Sequence, residues 1–356
     1  MSFEHAVVTG GAGFIGSSLA VRLRASGLAQ RVTALDNLKR RGSELQLSRL
    51  REAGVQFMHG DTRVGEDIEA VGPFDLMLDC AAEPSVLAGT EGSPKPLLDH
   101  NLLGSINCLE ACRRQSAAFL LLSTSRVYPI DPLNAVPVLE RETRFEWDTQ
   151  ALPPGVSVEG VTEQMSLDGH RSFYGASKLC SELLAREYAA GYGLRVLINR
   201  CGVVAGPWQM GKVDQGVVTL WLAAHHFHRE LAYIGWGGAG KQVRDVLHVD
   251  DLADLVLAQL AAVHSWQADV YNVGGGRRIS ASLAEMTTLA REVIGRRVEI
   301  RSTPQTRAVD LRIYLTDTAK LRARFGWQPA RDMATVAGDI HAWIRQHEQQ
   351  LRPIMA

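Results

Sequence analysis

The stretch Ala6-Val7-Val8-Thr9-Gly10-Gly11-Ala12-Gly13-Phe14-Ile15-Gly16 constrains the fold more than any other. A short apolar run reads as a buried strand, and a helical pattern follows over 17–26. Between them lies G-x-x-G-x-x-G. Its glycines permit a tight turn and let the backbone approach a pyrophosphate, which a helix N-terminus favours electrostatically. The spacing alone is weak; the strand before it and the helix after it strengthen it. The next strand, 31–35, ends in Asp36. An acid there accepts hydrogen bonds from both ribose hydroxyls of an adenosine and repels a 2′-phosphate, which favours NAD over NADP. Lys39, Arg40 and Arg41 follow closely, and basic residues at that place would suit the phosphate instead.

The alternation continues. A third strand is expected over 55–59, followed by Gly60-Asp61-Thr62, where Asp61 is either an acceptor for the adenine amino group or a plain turn aspartate. A fourth, 74–79, leads to Cys80-Ala81-Ala82, small residues that leave room for a cofactor. A helix over 101–114 and a fifth strand over 119–123 come next, the strand running into Ser123-Thr124-Ser125-Arg126. Strand–helix alternation without an internal repeat predicts an α/β fold, a Rossmann-like doubly wound parallel sheet. A hydroxyl at the carboxyl end of a central strand lies where ligands bind in such sheets. Residues 131–171 form a long polar stretch with prolines, the kind that covers an active site or stays disordered.

The following helix, 172–190 and ended by Gly191 and Gly193, carries Tyr174-Gly175-Ala176-Ser177-Lys178 in its first turns. Residues four apart share a helix face, so Tyr174 and Lys178 can point into one cavity. Tyrosine has a pKa near 10, and use as a base at neutral pH needs a drop of about 3 units, roughly 4 kcal/mol. One positive charge about 4 Å away supplies roughly that at an effective dielectric near 20. The plainer alternative packs Tyr174 in a core and leaves Lys178 in water.

Composition excludes several classes. Lys plus Arg (38) balances Asp plus Glu (39), without a basic run, which argues against a nucleic-acid partner. No stretch of about 18 apolar residues is present and no signal-peptide pattern precedes the first strand, so no membrane partner and a cytoplasmic location are expected. Cys80, Cys108, Cys112, Cys180 and Cys201 are scattered in apolar surroundings and read as reduced core residues. His225-His226-Phe227-His228 lacks nearby acidic or cysteine co-ligands; it is expected on a helix surface, with no metal.

Together the glycine turn, Asp36, the Ser123-Thr124 strand end and Tyr174-x-x-x-Lys178 resemble, in order, the extended short-chain dehydrogenases/reductases: nucleotide-sugar epimerases, dehydratases and decarboxylases. The likeness spans essentially the whole chain. Asp36-Asn37-Leu38-Lys39-Arg40-Arg41-Gly42, Gly160-Val161-Thr162-Glu163-Gln164, Asp214-Gln215-Gly216 and Gly240 through His248 are most similar to the CDP-paratose/CDP-tyvelose 2-epimerase group. This implies NAD held by Gly10, Gly13, Phe14, Ile15, Gly16, Asp36, Asn37, Arg40, Asp61, Thr62, Ala81, Ala82, Asn101, Tyr174 and Lys178. It implies catalysis by Thr124, Tyr174 and Lys178, and substrate contacts from Arg126, Gln209, Arg244 and Arg307. The expected substrate is a nucleotide-sugar, with CDP favoured, and the expected assembly a homodimer through helices 101–114 and 174–190. A dinucleotide-binding domain over 1–200 would carry the catalytic residues. A smaller mixed C-terminal lobe over 201–356 would take the sugar nucleotide, with an interleaved boundary.

The implied reaction is inversion of C2 of a CDP-linked deoxyhexose through a transient keto-sugar. The alternatives are a 4-epimerase or 4-ketoreductase on another nucleotide-sugar, or a non-catalytic NAD sensor, which has no need of the Tyr–Lys pair. Related 4,6-dehydratases carry Asp-Glu after the catalytic Thr, and the decarboxylases a Glu; here Ser125-Arg126 offers no acid. Arg126 either holds substrate or is a surface residue. Arg244 is the candidate for substrate phosphate, against a structural ion pair with Asp245 or Asp250. Asp79, Glu83 and Val203 depart from the family pattern; the first two would alter charge near the cofactor.

Overall fold

Runs of apolar residues bounded by glycine and polar turns become strands when both their faces are covered, and the first half of the chain does this repeatedly. The computed structural model describes residues 2–211 and 215–355; Asp214 of the Asp214-Gln215-Gly216 segment lies outside them. The main sheet contains β1 (Phe3–Thr9), β2 (Ala29–Asp36), β3 (Gln56–His59), β4 (Leu76–Asp79), β5 (Ala118–Thr124), β6 (Val196–Cys201) and β7 (Asp269–Val273). Their order is β7-β6-β5-β4-β1-β2-β3, a Rossmann-like arrangement. The pairings of β1 with β2 and β4, of β2 with β3 and of β4 with β5 are all parallel. Strands β5 and β6 are buried at every position. The chain runs from β1 outward to β3 and then returns to β4 on β1's other side. That reversal opens a crevice at the carboxyl ends of β1 and β4, where Gly10 and Cys80-Ala81 stand.

Three helices position the site: α1 (Phe14–Ser26), α2 (Gly104–Gln115) and α3 (Phe173–Tyr192). Cys108, Leu109 and Cys112 of α2 and Ala185 of α3 share one core with Val7, Met77, Phe119, Leu121 and Ile198. The expected helix over 101–114 begins instead as a wide turn, Asp99–Leu103, a local device common at functional sites. Helix α3 starts at Ser172, whose hydroxyl accepts from Gly175 N (3.2 Å). It continues through Gly191 and stops at Gly193, in the left-handed region at φ +68°.

The described residues divide into two compact units. The first comprises the chain up to Val127, Ser172–Arg200 and Ala253–Tyr271; the second comprises Tyr128–Arg171, Cys201–Leu252 and the residues from Asn272 onward. The division is interleaved along the chain, and the second unit is about as large as the first. The polar stretch 131–171 accounts for this. It is an ordered part of the second unit, with a helix (Ile130–Asn134) and an antiparallel hairpin of Val138–Glu140 with Phe145–Trp147. Phe145 N donates to Lys241 O (2.9 Å), and Arg144 reaches Ser280 Oγ (2.8 Å) and Glu285. The second unit's own sheet is mixed: Val243–His248 pairs antiparallel with Ser280–Ser282 and parallel with Ile313–Tyr314 and Val203–Ala205.

Two expectations are corrected by packing. His225 is wholly buried inside helix Val217–Phe227 rather than on its surface, its Nδ1 on Trp221 O (2.8 Å), and burial holds its pKa below the usual value. Cys180 is exposed on α3, although all five cysteines are free. Asp250 and Asp251 lie within the first turn of helix Val249–Ala261. Asp251 holds the 330–331 backbone, accepting from Ala330 N (3.2 Å) and Arg331 N (3.0 Å). Among the described residues no group of three His, Cys, Asp or Glu could hold a metal, and no helix is long and apolar enough to cross a membrane.

Candidate active site

The glycine turn is built by exclusion. Gly10 adopts φ +59°, and a Cβ there would meet Ala81 N and Cα at 2.9 Å. A Cβ on Gly16 would lie 2.1 Å from Gly10 O, so α1 can begin against the turn only with glycine. Its N-cap, Gly13, supplies no side-chain oxygen to the amides of the first turn, where Phe14 and Ile15 are half-exposed. Uncapped helix amides of this kind suit a phosphate.

Asp36 ends β2 as expected. Its Oδ2 accepts from Ala12 N (3.0 Å) and its Oδ1 from Leu38 N (2.8 Å). Burial pushes its carboxyl above the usual range, and the backbone amides of Leu38, Ala12 and Gly13 oppose that. Arg40 is half-buried just beyond. Asn37 bridges Lys39 N (3.0 Å) and Asp61 (2.9 Å).

Asp61 is engaged within its own turn. Its Oδ1 accepts from Arg63 N and Nε (both 3.0 Å), and its Oδ2 from Arg63 Nη2 (2.6 Å) and Asn37. The side-chain bond to Arg63 holds its pKa well below the usual range. Four donors leave no lone pair for an adenine amino group. Arg63, which sequence reasoning passed over, is the residue this turn presents. Thr62 is buried and its carbonyl accepts from Asn107 Nδ2 (2.8 Å).

Ala81 and Ala82 are half-exposed beyond β4. Thr9 Oγ1 accepts from Cys80 N (3.2 Å) and Ala81 N (3.3 Å) while donating to Asp79 Oδ1 (2.8 Å). Ser105 Oγ donates to Asp79 Oδ2 (2.7 Å), so this buried carboxylate braces the strand end from within instead of charging the cofactor crevice. Asn101 is likewise an internal clamp. Its carboxamide accepts from Glu83 N (2.7 Å) and donates to Glu83 O and Ser177 Oγ (both 3.1 Å).

Thr124 is the last residue of β5, buried, and its Oγ1 accepts from Arg126 N (3.2 Å). Gly175 lets α3 press on this turn, since a Cβ there would lie 2.0 Å from Arg126 O. Tyr174 is half-buried in the first turn of α3. Lys178, one turn on, is 1% exposed, and its Nζ has no hydrogen-bond partner among the described residues. This inverts the plainer alternative: the ammonium, not the phenol, is the buried group. An unpaired interior ammonium costs several kcal/mol and calls for an anion or ligand hydroxyls beside it. With the uncapped turn and Asp36, it makes the first unit fit NAD.

In the second unit, Gln209 is buried and acts as a brace, Nε2 donating to Val204 O (2.9 Å) and Oε1 accepting from Thr219 Oγ1 (2.8 Å). Arg244 donates to Val243 O and Leu311 O (both 2.7 Å). Its neighbour Asp245 accepts from Gly276 N (3.0 Å) and Thr316 N (3.3 Å), and burial raises its pKa to about 6. Arg307 is half-buried in the 307–310 turn, closed by Asp310 N on Arg307 O (3.0 Å). Val203 pairs with Val246.

A parallel sheet with a glycine turn at its switch point, an acid ending β2 and a Tyr-x-x-x-Lys helix define a dinucleotide-dependent enzyme of the extended short-chain dehydrogenase/reductase class. A model described as the NAD dependent epimerase/dehydratase family matches residues 6–274. The CDP-paratose 2-epimerase of Salmonella typhi is 31% identical over 336 residues, covering 91% of this chain and 94% of that protein. The structure of Thermus thermophilus UDP-glucose 4-epimerase in complex with NAD matches with TM-score 0.72 at 28% identity, over 96% and 99% of the two chains. That of Thermotoga maritima UDP-glucose 4-epimerase with UDP-glucose shares the fold, with TM-score 0.76 at 24% identity over 97% and 99%. The chain belongs to the NAD dependent epimerase/dehydratase family, as an NAD-dependent sugar epimerase.

Proposed function

We propose that the enzyme inverts C2 of a CDP-linked deoxyhexose. The observation that carries the chemistry is the buried ammonium of Lys178, without a partner among the described residues and one helical turn from Tyr174. Tyr174 as phenolate takes the proton from the C2 hydroxyl, Lys178 stabilises that phenolate, and Thr124 donates a hydrogen bond to the reacting oxygen. NAD held by the first unit would supply the acceptor and donor for the C2 hydride. The 2-keto-sugar turns over in between, Tyr174 returns its proton to the oxygen, and no net oxidation results. Ser125-Arg126 argues against dehydration, since no acid follows Thr124 to protonate a leaving hydroxyl. Similarity to CDP-paratose 2-epimerase over nearly both full lengths supports the nucleotide and the carbon. Arg244 and Arg307 are assigned to the substrate's pyrophosphate, for which guanidinium is well shaped.

Exposed Leu183 (53%) and Tyr192 (63%) on α3, with Leu103 (42%) before α2, support a homodimer through these helices. The five free cysteines fit a reducing cytoplasm. The test is a panel of nucleotide-sugars offered in ordinary and in deuterated water, with no added dinucleotide. Turnover of CDP-deoxyhexoses, inverted at C2 without solvent deuterium there, is expected. Exclusive inversion at C4 of a UDP-sugar, or stoichiometric consumption of added dinucleotide, would overturn the proposal.

A further inference from the structure

Glu182 lies on α3 one turn beyond Lys178 and two turns beyond Tyr174, on the same stripe. It is 2% exposed, and Arg200 on β6 is 3% exposed. Arg200 Nε lies 3.1 and 3.0 Å from the two Glu182 oxygens, and Nη2 lies 2.7 Å from Oε2. Ser123 Oγ, on β5, donates to Glu182 Oε1 at 2.5 Å. One interior carboxylate thus joins α3, β5 and β6 at the residue immediately before Thr124.

Stability does not account for this arrangement. Taking two charges out of water costs several kcal/mol per ion, and apolar residues of similar volume are often as good or better. Charged, forked bonds supply direction instead: the guanidinium fixes the carboxylate plane, and the serine fixes the strand end against it. At 1.5 Å rise per residue, Glu182 stands roughly 6 Å from Lys178 and roughly 12 Å from Tyr174 along the axis. A slip of α3 at Glu182 therefore moves both. Asn101 holds the same helix at a second point, through Ser177 (3.1 Å) and, by its carbonyl, through Ser181 Oγ (3.2 Å).

We infer that Glu182, Arg200 and Ser123 are positioning residues that set Tyr174 and Lys178 against Thr124, governing proton transfer rather than affinity for NAD or sugar. The inference rests on the proposed roles of Tyr174, Lys178 and Thr124. It is tested with an apolar pair, Glu182→Leu with Arg200→Met, and separately with Ser123→Ala. The apolar pair should melt at or above the wild-type temperature and bind NAD and sugar nucleotide unchanged, while kcat falls roughly tenfold to 100-fold, as for a misplacement of about 1 Å. The ionisation of Tyr174, followed by tyrosinate absorbance against each protein's own Tyr174→Phe variant, should move to higher pH. Ser123→Ala should lower kcat to a lesser degree with KM unchanged. A folded apolar pair with wild-type kcat and wild-type Tyr174 titration overturns the inference. So does a pair that fails to fold while Ser123→Ala is kinetically wild-type. If Tyr174→Phe keeps full activity, the catalytic assignment fails instead, and the Tyr174 titration still reports whether the trio positions the phenol.

Discussion

Replacing Lys178 by Met removes the ammonium and keeps a side chain of similar length in the same buried space. The charge is 1% exposed and without a hydrogen-bond partner among the described residues. A phenolate about 4 Å from it would be favoured by about 4 kcal/mol at an effective dielectric near 20. Tyr174 is only half-buried, so solvent screening trims this to roughly 3 kcal/mol, about 2 pKa units. Steady-state kinetics across pH should show the acidic limb of kcat moved up by about 2 units, and kcat near neutrality lowered by about 100-fold. Stability should move the other way. An interior ammonium without a hydrogen-bond partner is costly, so the apoprotein of Lys178→Met should melt no lower than wild type. A kcat loss with an unshifted pH limb would refute the electrostatic role and leave Lys178 as a cofactor anchor alone. A lower melting temperature would show that the ammonium has a compensating partner in the apoprotein.

Tyr174→Phe should bind NAD normally in a direct titration while epimerisation falls by about 1,000-fold or more, the scale of a lost general base with its stabilised anion. Gly16→Ala would place a Cβ 2.1 Å from Gly10 O, so NAD affinity, read by calorimetry, should collapse together with α1 packing. Arg307→Ala should raise KM for the nucleotide-sugar by about tenfold to 100-fold with little change in kcat, the range for a hydrogen bond to a charged group. Asp245 gives a pH signature in stability. Its folded pKa of about 6 lies above the ordinary 3.8, so its contribution is fullest below 3.8 and is lost as pH rises through about 6. The cost at neutral pH is about 3 kcal/mol. Melting of wild type minus Asp245→Asn should therefore become less unfavourable on going from pH 7 to pH 5; a difference flat across that interval would be inconsistent with the buried carboxylate.

Features set by local spacing were legible in the chain. The glycine turn, Asp36 at the end of β2, Thr124 at the end of β5 and the four-residue interval from Tyr174 to Lys178 depend on strand and helix periodicity, and each stands where that periodicity puts it. Features set by which side chains meet in the packed structure were not. Spacing left Asp61 open between an acceptor for adenine and a turn aspartate, and its bonds from Arg63 and Asn37 engage it within the turn. Spacing did not reveal that Gln209 is buried and braced by the Val204 carbonyl and the Thr219 hydroxyl. The polar stretch 131–171 reads as loop because its apolar residues have no period of their own; its hydrogen bonds to 241, 280 and 285 make it part of the second unit.

By itself, then, the sequence determined the parallel sheet, the dinucleotide turn and the pairing of a phenol with an ammonium, because backbone geometry and helical pitch act over a few residues. Only the tertiary structure decided that the ammonium is buried and the phenol half open, and that Glu182, Arg200 and Ser123 meet beside Thr124. Desolvation belongs to the packed interior, and no short stretch of chain carries it.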